Sequence, residues 1–217
     1  MRVMAATHRI ARAKARARLA ASGAVPLRRT VHRMPAGRRP PPPSAFAAFG
    51  AGSWVVPATS VRHPERIRIG ARTVLMEHAR LWALDGAGSA GSITIGHDVL
   101  LGRFCSLVSR VGIVLEDRVS ASDSVTVLDS WDHSLAPPGQ GLPGAPRGGP
   151  VVIEEGAYLA CNSVVGPGVR VGRHAYVGEG AVVYDHVPPF TVVWGNPAVV
   201  TRRYDPVARA WTGPEWP

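Results

Sequence analysis

A count of six constrains this chain more than any other feature. From Pro150 onward every sixth residue is aliphatic: Ile153, Leu159, Val165, Val171, Val177 and Val183. Two positions earlier the set is Val151, Ala157, Ser163, Val169, Ala175 and Ala181, all small or β-branched. Glycine follows the aliphatic residue at Gly166, Gly172 and Gly178. An amphipathic helix repeats near 3.6 residues and an ordinary strand near 2, so neither produces six. A solenoid does, because a short strand supplies inward residues two apart and a tight turn carries the chain to the next side.

The same count runs upstream through Ile95, Leu101, Leu107, Ile113, Val119 and Val125, and earlier through Ile69, Leu75 and Leu81. Three hexads make a triangular turn of about 18 residues, each turn stacking on the next at about 4.8 Å. The register thus predicts an all-β, parallel β-helix of about five turns over residues 65–187. Two interruptions break the count. LDGAGSAG separates Leu81 from Ile95, and a longer excursion over 128–150 contains DSWDHS, with prolines and glycines marking repeated turns. The flat sides of a solenoid enclose little, so loops extruded from it are where a reaction site is expected.

Charge is distributed unevenly. The net charge is +10, but residues 1–40 hold 11 Lys and Arg and no acid, leaving the other 177 residues at −1. Basicity therefore belongs to an arm, residues 1–43, ending in four prolines that favour an extended linker. Residues 44–64 are expected to cap the coils, and 188–217 to form a C-terminal cap and tail. The body lacks interleaved basic and aromatic residues, so nucleic acid is not the expected partner. Two cysteines, Cys105 and Cys161, make neither a disulfide framework nor a paired metal motif. No apolar run reaches membrane-spanning length. The expected location is cytoplasmic, with peripheral attachment to the inner membrane face open to the basic arm.

The stretch PVVIEEGAYLACNSVVGPGVRVGRHAYVGEGAVVYDHVPPFTVVWGNPAVVTRR, residues 150–203, resembles the end of a left-handed β-helix acyltransferase of the hexapeptide-repeat superfamily. Six-periodicity combined with DHVPPFTVVWGNPA carries the likeness, which covers roughly residues 60–204 and leans to sugar and exopolysaccharide O-acetyltransferases. The resemblance supplies the left hand, which spacing alone does not choose. It implies a homotrimer with sites between subunits, acetyl-CoA or another acyl-CoA as co-substrate, no metal, and a carbohydrate or glycolipid acceptor. It also places a catalytic histidine at the start of an extruded loop, which His133 in SWDHS matches. A neutral imidazole there would accept the proton of an attacking sugar hydroxyl. Either Asp132 or Asp129 could orient the ring. Along the expected path of the donor, the resemblance implies Cys161, Glu179 and Tyr184, with Arg202 and Arg203 near the CoA phosphates. Trp194 departs from the small residue usual before GNP, and either packs on the donor or alters the cap.

Two other readings stay open: a non-catalytic trimeric β-helix scaffold, and an acyltransferase for an antibiotic or amine acceptor. A zinc-dependent carbonic anhydrase on the same solenoid is disfavoured, because the eight histidines lack that family's closely spaced pair in the middle coils.

Overall fold

The computed structural model describes residues 40–86, 89–131 and 148–214. They lie within one unit, Pro40–Pro217. The strands are short because each hexad gives only two to four residues before the chain must turn a corner. They stack in parallel on three faces. Face I takes Ala48–Phe49, Ile67–Ile69, Ile93–Ile95, Ile113–Leu115, Val151–Ile153 and Arg170–Val171. Face II takes Trp54–Val55, Val74–Leu75, Leu100–Leu101, Ser120–Ala121, Tyr158–Leu159 and Tyr176–Val177. Face III takes Ser60–Arg62, Arg80–Ala83, Ser106–Ser109, Thr126–Leu128, Val164–Val165 and Val182–Val183. This is the left-handed parallel β-helix of hexapeptide repeats.

Inward residues of successive coils lie over one another in a single core. Ile95, Leu101 and Leu107 pair with Leu115, Ala121 and Val127 of the next coil, and these with Ile153, Leu159 and Val165. All nine are essentially excluded from solvent. Each large aliphatic side chain so buried contributes about 1.5–3 kcal/mol.

Two sequence expectations are corrected here. The count of six through Ile113, Val119 and Val125 slips by two residues against the real stack. Ile113 pairs with Ile93, and it is Leu115 that lies over Ile95. Two extra residues occupy the corner after face III, and the count passed over them because both members of an inward pair two apart are buried. The second correction concerns residues 44–64, expected as a cap. Trp54, Val55 and their neighbours form a full coil, with Ala48–Phe49, Trp54–Val55 and Ser60–Arg62 each paired in parallel with the coil above. Six coils stand among the described residues where five were expected, because Phe49, Val55 and Val61 keep the spacing of six. At the other end, Thr191–Trp194 extends face II in parallel, and Val199–Asp205 and Ala210–Thr212 then fold back antiparallel on it.

Candidate active site

Within every coil the stacked residues are six apart, so all extra residues collect at one edge, the corner where face III passes to face I. The extra length is two residues after Val61, eight after Leu81, two after Leu107 and twenty after Val127. The longest of these excursions begins at Asp129, whose side chain follows Val125 and Val127 inward and is 0% exposed. A carboxylate in that position costs heavily unless its oxygens find donors. Four are supplied by the coil below. Oδ1 accepts the Arg110 N–H at 2.8 Å, and Oδ2 accepts the Ser109 hydroxyl at 2.6 Å and the N–H groups of Val111 and Gly112 at 2.8 and 2.7 Å. The two-residue corner insertion is thus folded around this carboxylate.

The excursion's neck is closed just beyond. The Gly149 N–H donates to the Asp129 carbonyl at 2.9 Å, and Ser130 bridges Gly148 in antiparallel fashion. Trp131 lies against Gly166 and Tyr184, with the two ring centroids 6.4 Å apart. His133 and Asp132 lie outside the described residues. Asp129, the other expected partner for the histidine, has both oxygens hydrogen-bonded to the corner below.

The expected donor-path residues do not form one group. Tyr184 belongs to the excursion corner beside Trp131. Cys161, Glu179 and Trp194 gather at the opposite edge, between faces II and III. There the Cys161 Sγ lies 2.9 Å from the Ser122 hydroxyl. Cys105 donates to the Ser122 carbonyl at 3.0 Å, and burial pushes its thiol pKa up to about 12, so it stays protonated. Glu179 is exposed and accepts from the Tyr176 hydroxyl at 3.3 Å. Trp194 stands one coil above Gly178 and covers it, since a Cβ on Gly178 would come within 2.3 Å of the indole. The indole thus packs on the last coil. Arg202 pairs with Val192 and Arg203 with Thr191 in the terminal hairpin, Arg202 half-buried and Arg203 exposed.

One feature of this edge went unread in the sequence. Tyr158 and Tyr176 stack at 5.1 Å with their planes 18° apart, and Trp194 tilts against Tyr176 at 6.3 Å. Desolvation, then the Glu179 charge, raises the Tyr176 phenol above its ordinary range; desolvation likewise raises Tyr158. Both phenols are hydrogen-bonding groups at neutral pH. The signal was available, because the two tyrosines are separated by one full coil of three hexads.

Among the described residues no cluster of three metal-ligating side chains occurs. Two histidines serve the backbone: His97 accepts from the Ala71 N–H at 2.9 Å and His186 from that of Arg170 at 3.1 Å. Among the described residues no helix is long and apolar enough to cross a membrane.

A stack of hexapeptide coils interrupted by one long excursion defines a class of β-helix proteins, and comparison places the repeats within it. Residues 150–185 match the family described as bacterial transferase hexapeptide (six repeats). A 2,3,4,5-tetrahydropyridine-2,6-dicarboxylate N-acetyltransferase from Brevibacillus brevis is 43% identical over 67 residues, which is 31% of this chain and 28% of the relative. A galactoside O-acetyltransferase from Lactococcus lactis is 32% identical over 98 residues, 45% of this chain and 46% of the relative. The matches thus span less than half of either relative. Among solved structures, a mutant of the N-acyltransferase AntD from Bacillus cereus, in complex with dTDP-4-amino-4,6-dideoxyglucose and coenzyme A, superposes with a TM-score of 0.64. That match has 19% identity and covers 76% of this chain and 87% of the other. It is a likeness of fold.

Proposed function

We propose that this protein is an acyl-CoA-dependent acyltransferase that acetylates a sugar hydroxyl, with His133 as general base. The observation that carries the reading is the clamped neck: the longest excursion from a transferase-type coil stack is pinned at Asp129, Ser130 and Trp131, immediately before His133 in the chain. Sugar hydroxyls are weak nucleophiles at neutral pH. A neutral imidazole that takes the proton as the new C–O bond forms makes direct attack on the thioester feasible. The thiolate of CoA leaves as the tetrahedral intermediate collapses, and backbone N–H groups are the expected donors to its oxyanion. Neither cysteine is used as a nucleophile. For Cys105, burial and a raised pKa argue against it directly.

A donor route along the edge holding Cys161, Glu179 and Trp194, reaching Arg202 across face II, is supported by the alignment of Tyr176, Val192 and Arg202 on successive strands of that face. A carbohydrate acceptor is supported by the galactoside acetyltransferase relative and a trimer by the family resemblance. Amine acylation is the second reading, favoured by the N-acetyltransferase with 43% identity. The test is single-turnover transfer from acetyl-CoA to a panel of sugars and amino sugars, with products identified by mass spectrometry before and after hydroxylamine treatment. An ester is expected, lost with hydroxylamine; a resistant amide as the sole product would move the protein to the second reading. His133→Ala should keep acetyl-CoA binding and lower the chemical rate by about 10²–10⁴-fold. Wild-type chemistry in that variant would remove His133 from the mechanism. A protein that binds no acyl-CoA at all would be a scaffold.

A further inference from the structure

Face III carries a second set of side chains that the transfer chemistry does not use. The Arg62 guanidinium carbon lies 4.1 Å from the centroid of the Trp82 ring, and that of Arg80 lies 4.5 Å from it. The indole is held in place by its N–H, which donates to the Ser60 hydroxyl at 3.0 Å. All four residues sit on paired strands, Ser60 beside Arg80 and Arg62 beside Trp82, so the set is fixed by the coil register rather than by a loop. Among the described residues neither arginine has a carboxylate within ion-pair distance, whereas nearby Arg66 is paired with Asp85 at 2.7 Å. Both Arg62 and Arg80 are exposed. One arginine on a tryptophan is adequately explained as packing. Two guanidiniums on one ring concentrate like charge and leave two planar donor forks facing solvent, the geometry that receives an oxyanion.

Position supplies the second argument. Trp82 pairs with Val108, and Val108 with Leu128, the last face III residue before Asp129 opens the long excursion. Two strand spacings, about 10 Å, therefore separate the cationic set from the root of that excursion. The half-buried Val108 and Leu128 between them offer an apolar floor to sugar C–H groups.

We propose that Arg62 and Arg80, held by Trp82, bind the oxyanion of an acidic saccharide acceptor, a sugar bearing a carboxylate or a phosphate. The inference names the acceptor class for the acyltransferase reading and rests on it. The test is calorimetric titration of the full chain with tetragalacturonate, with UDP-glucose and with the neutral maltotetraose. At least one anionic probe is expected to bind about tenfold or more tightly than maltotetraose, the scale of a charge-assisted fork. The Arg62→Gln/Arg80→Gln double variant, verified by circular dichroism and thermal midpoint, should lose that preference. Preference for tetragalacturonate alone identifies a carboxylate source, and for UDP-glucose alone a phosphate source. No preference for either anion, or an undiminished one in the double variant, overturns the proposal. Anion binding without acyl transfer would remove the acyltransferase reading and leave the site; transfer to neutral sugars without anion preference would remove this inference alone.

Discussion

A single buried side chain, Asp129, decides where the chain leaves the coil stack. Its two oxygens gather four donors from residues 109–112, one coil below, and so convert a two-residue corner insertion into a rigid seat for the neck. Replacement by Ala leaves those donors without their acceptor in a place closed to water. Losing one partner of such a buried cluster costs about 3 kcal/mol, and Asp129→Ala should lower unfolding stability by that amount in urea titration. A change within error would show that water or another group replaces the carboxylate. Alternation made the inward position of Asp129 legible in the sequence, since Val125 and Val127 precede it at intervals of two. Its partners were not legible, because they come from the previous coil and the two-residue slip hid which residues lie beneath it. The aromatic neighbours show the same division. SWDHS marked Trp131 as part of a loop, but only stacking brings it to Tyr184 and Gly166.

At the scale of elements, the three corners do different work. The edge between faces III and I carries the insertions; the edge between faces II and III carries Cys161, Glu179 and Trp194. The edge between faces I and II is a ladder of charged and aromatic groups. There Arg72 is bonded to Asp98 at 2.7 Å, and the His174 ring stacks on Phe190 at 5.3 Å. Desolvation first, then the positive charges of Arg118 and Arg173, lowers the His174 pKa below its ordinary 6.5. The native state therefore holds this proton less tightly than the unfolded chain does. Stability from this group is complete above pH 6.5 and declines as pH falls through 6.5 toward the lower native value. His174→Phe should flatten that decline, and the ring fits the backbone because Phe104 and Phe190 adopt similar positive φ of 60° and 55° at corners. Urea midpoints of both proteins across this pH range are the measurement; parallel curves would assign the acid sensitivity elsewhere. The sequence showed His174 at a turn, but not the Phe190 ring above it, which arrives from beyond the last hexad.

For the whole molecule, the question is where the solenoid begins. Hexad counting located coils from Ile69 onward and missed the first, because HPER inserts a short 3-10 turn, Pro64–Arg66, between Val61 and Ile69. The first coil closes the core from one end: Phe46 and Val55 are buried, and Phe49 and Val61 pack against the same cluster. Removing it would uncover Ile69, Leu75 and Leu81 together with three unpaired strand edges, which both weakens the fold and templates association. Four apolar side chains of this kind represent on the order of 5 kcal/mol of burial. A chain of residues 40–217 retains all six coils, whereas residues 65–217, the span that hexad counting alone would select, starts on an open end. The shorter chain is expected to show a clearly lower urea midpoint than the longer one, and concentration-dependent light scattering. Equal midpoints and equal scattering would mean that residues 44–64 are an appendage to the solenoid rather than its first coil.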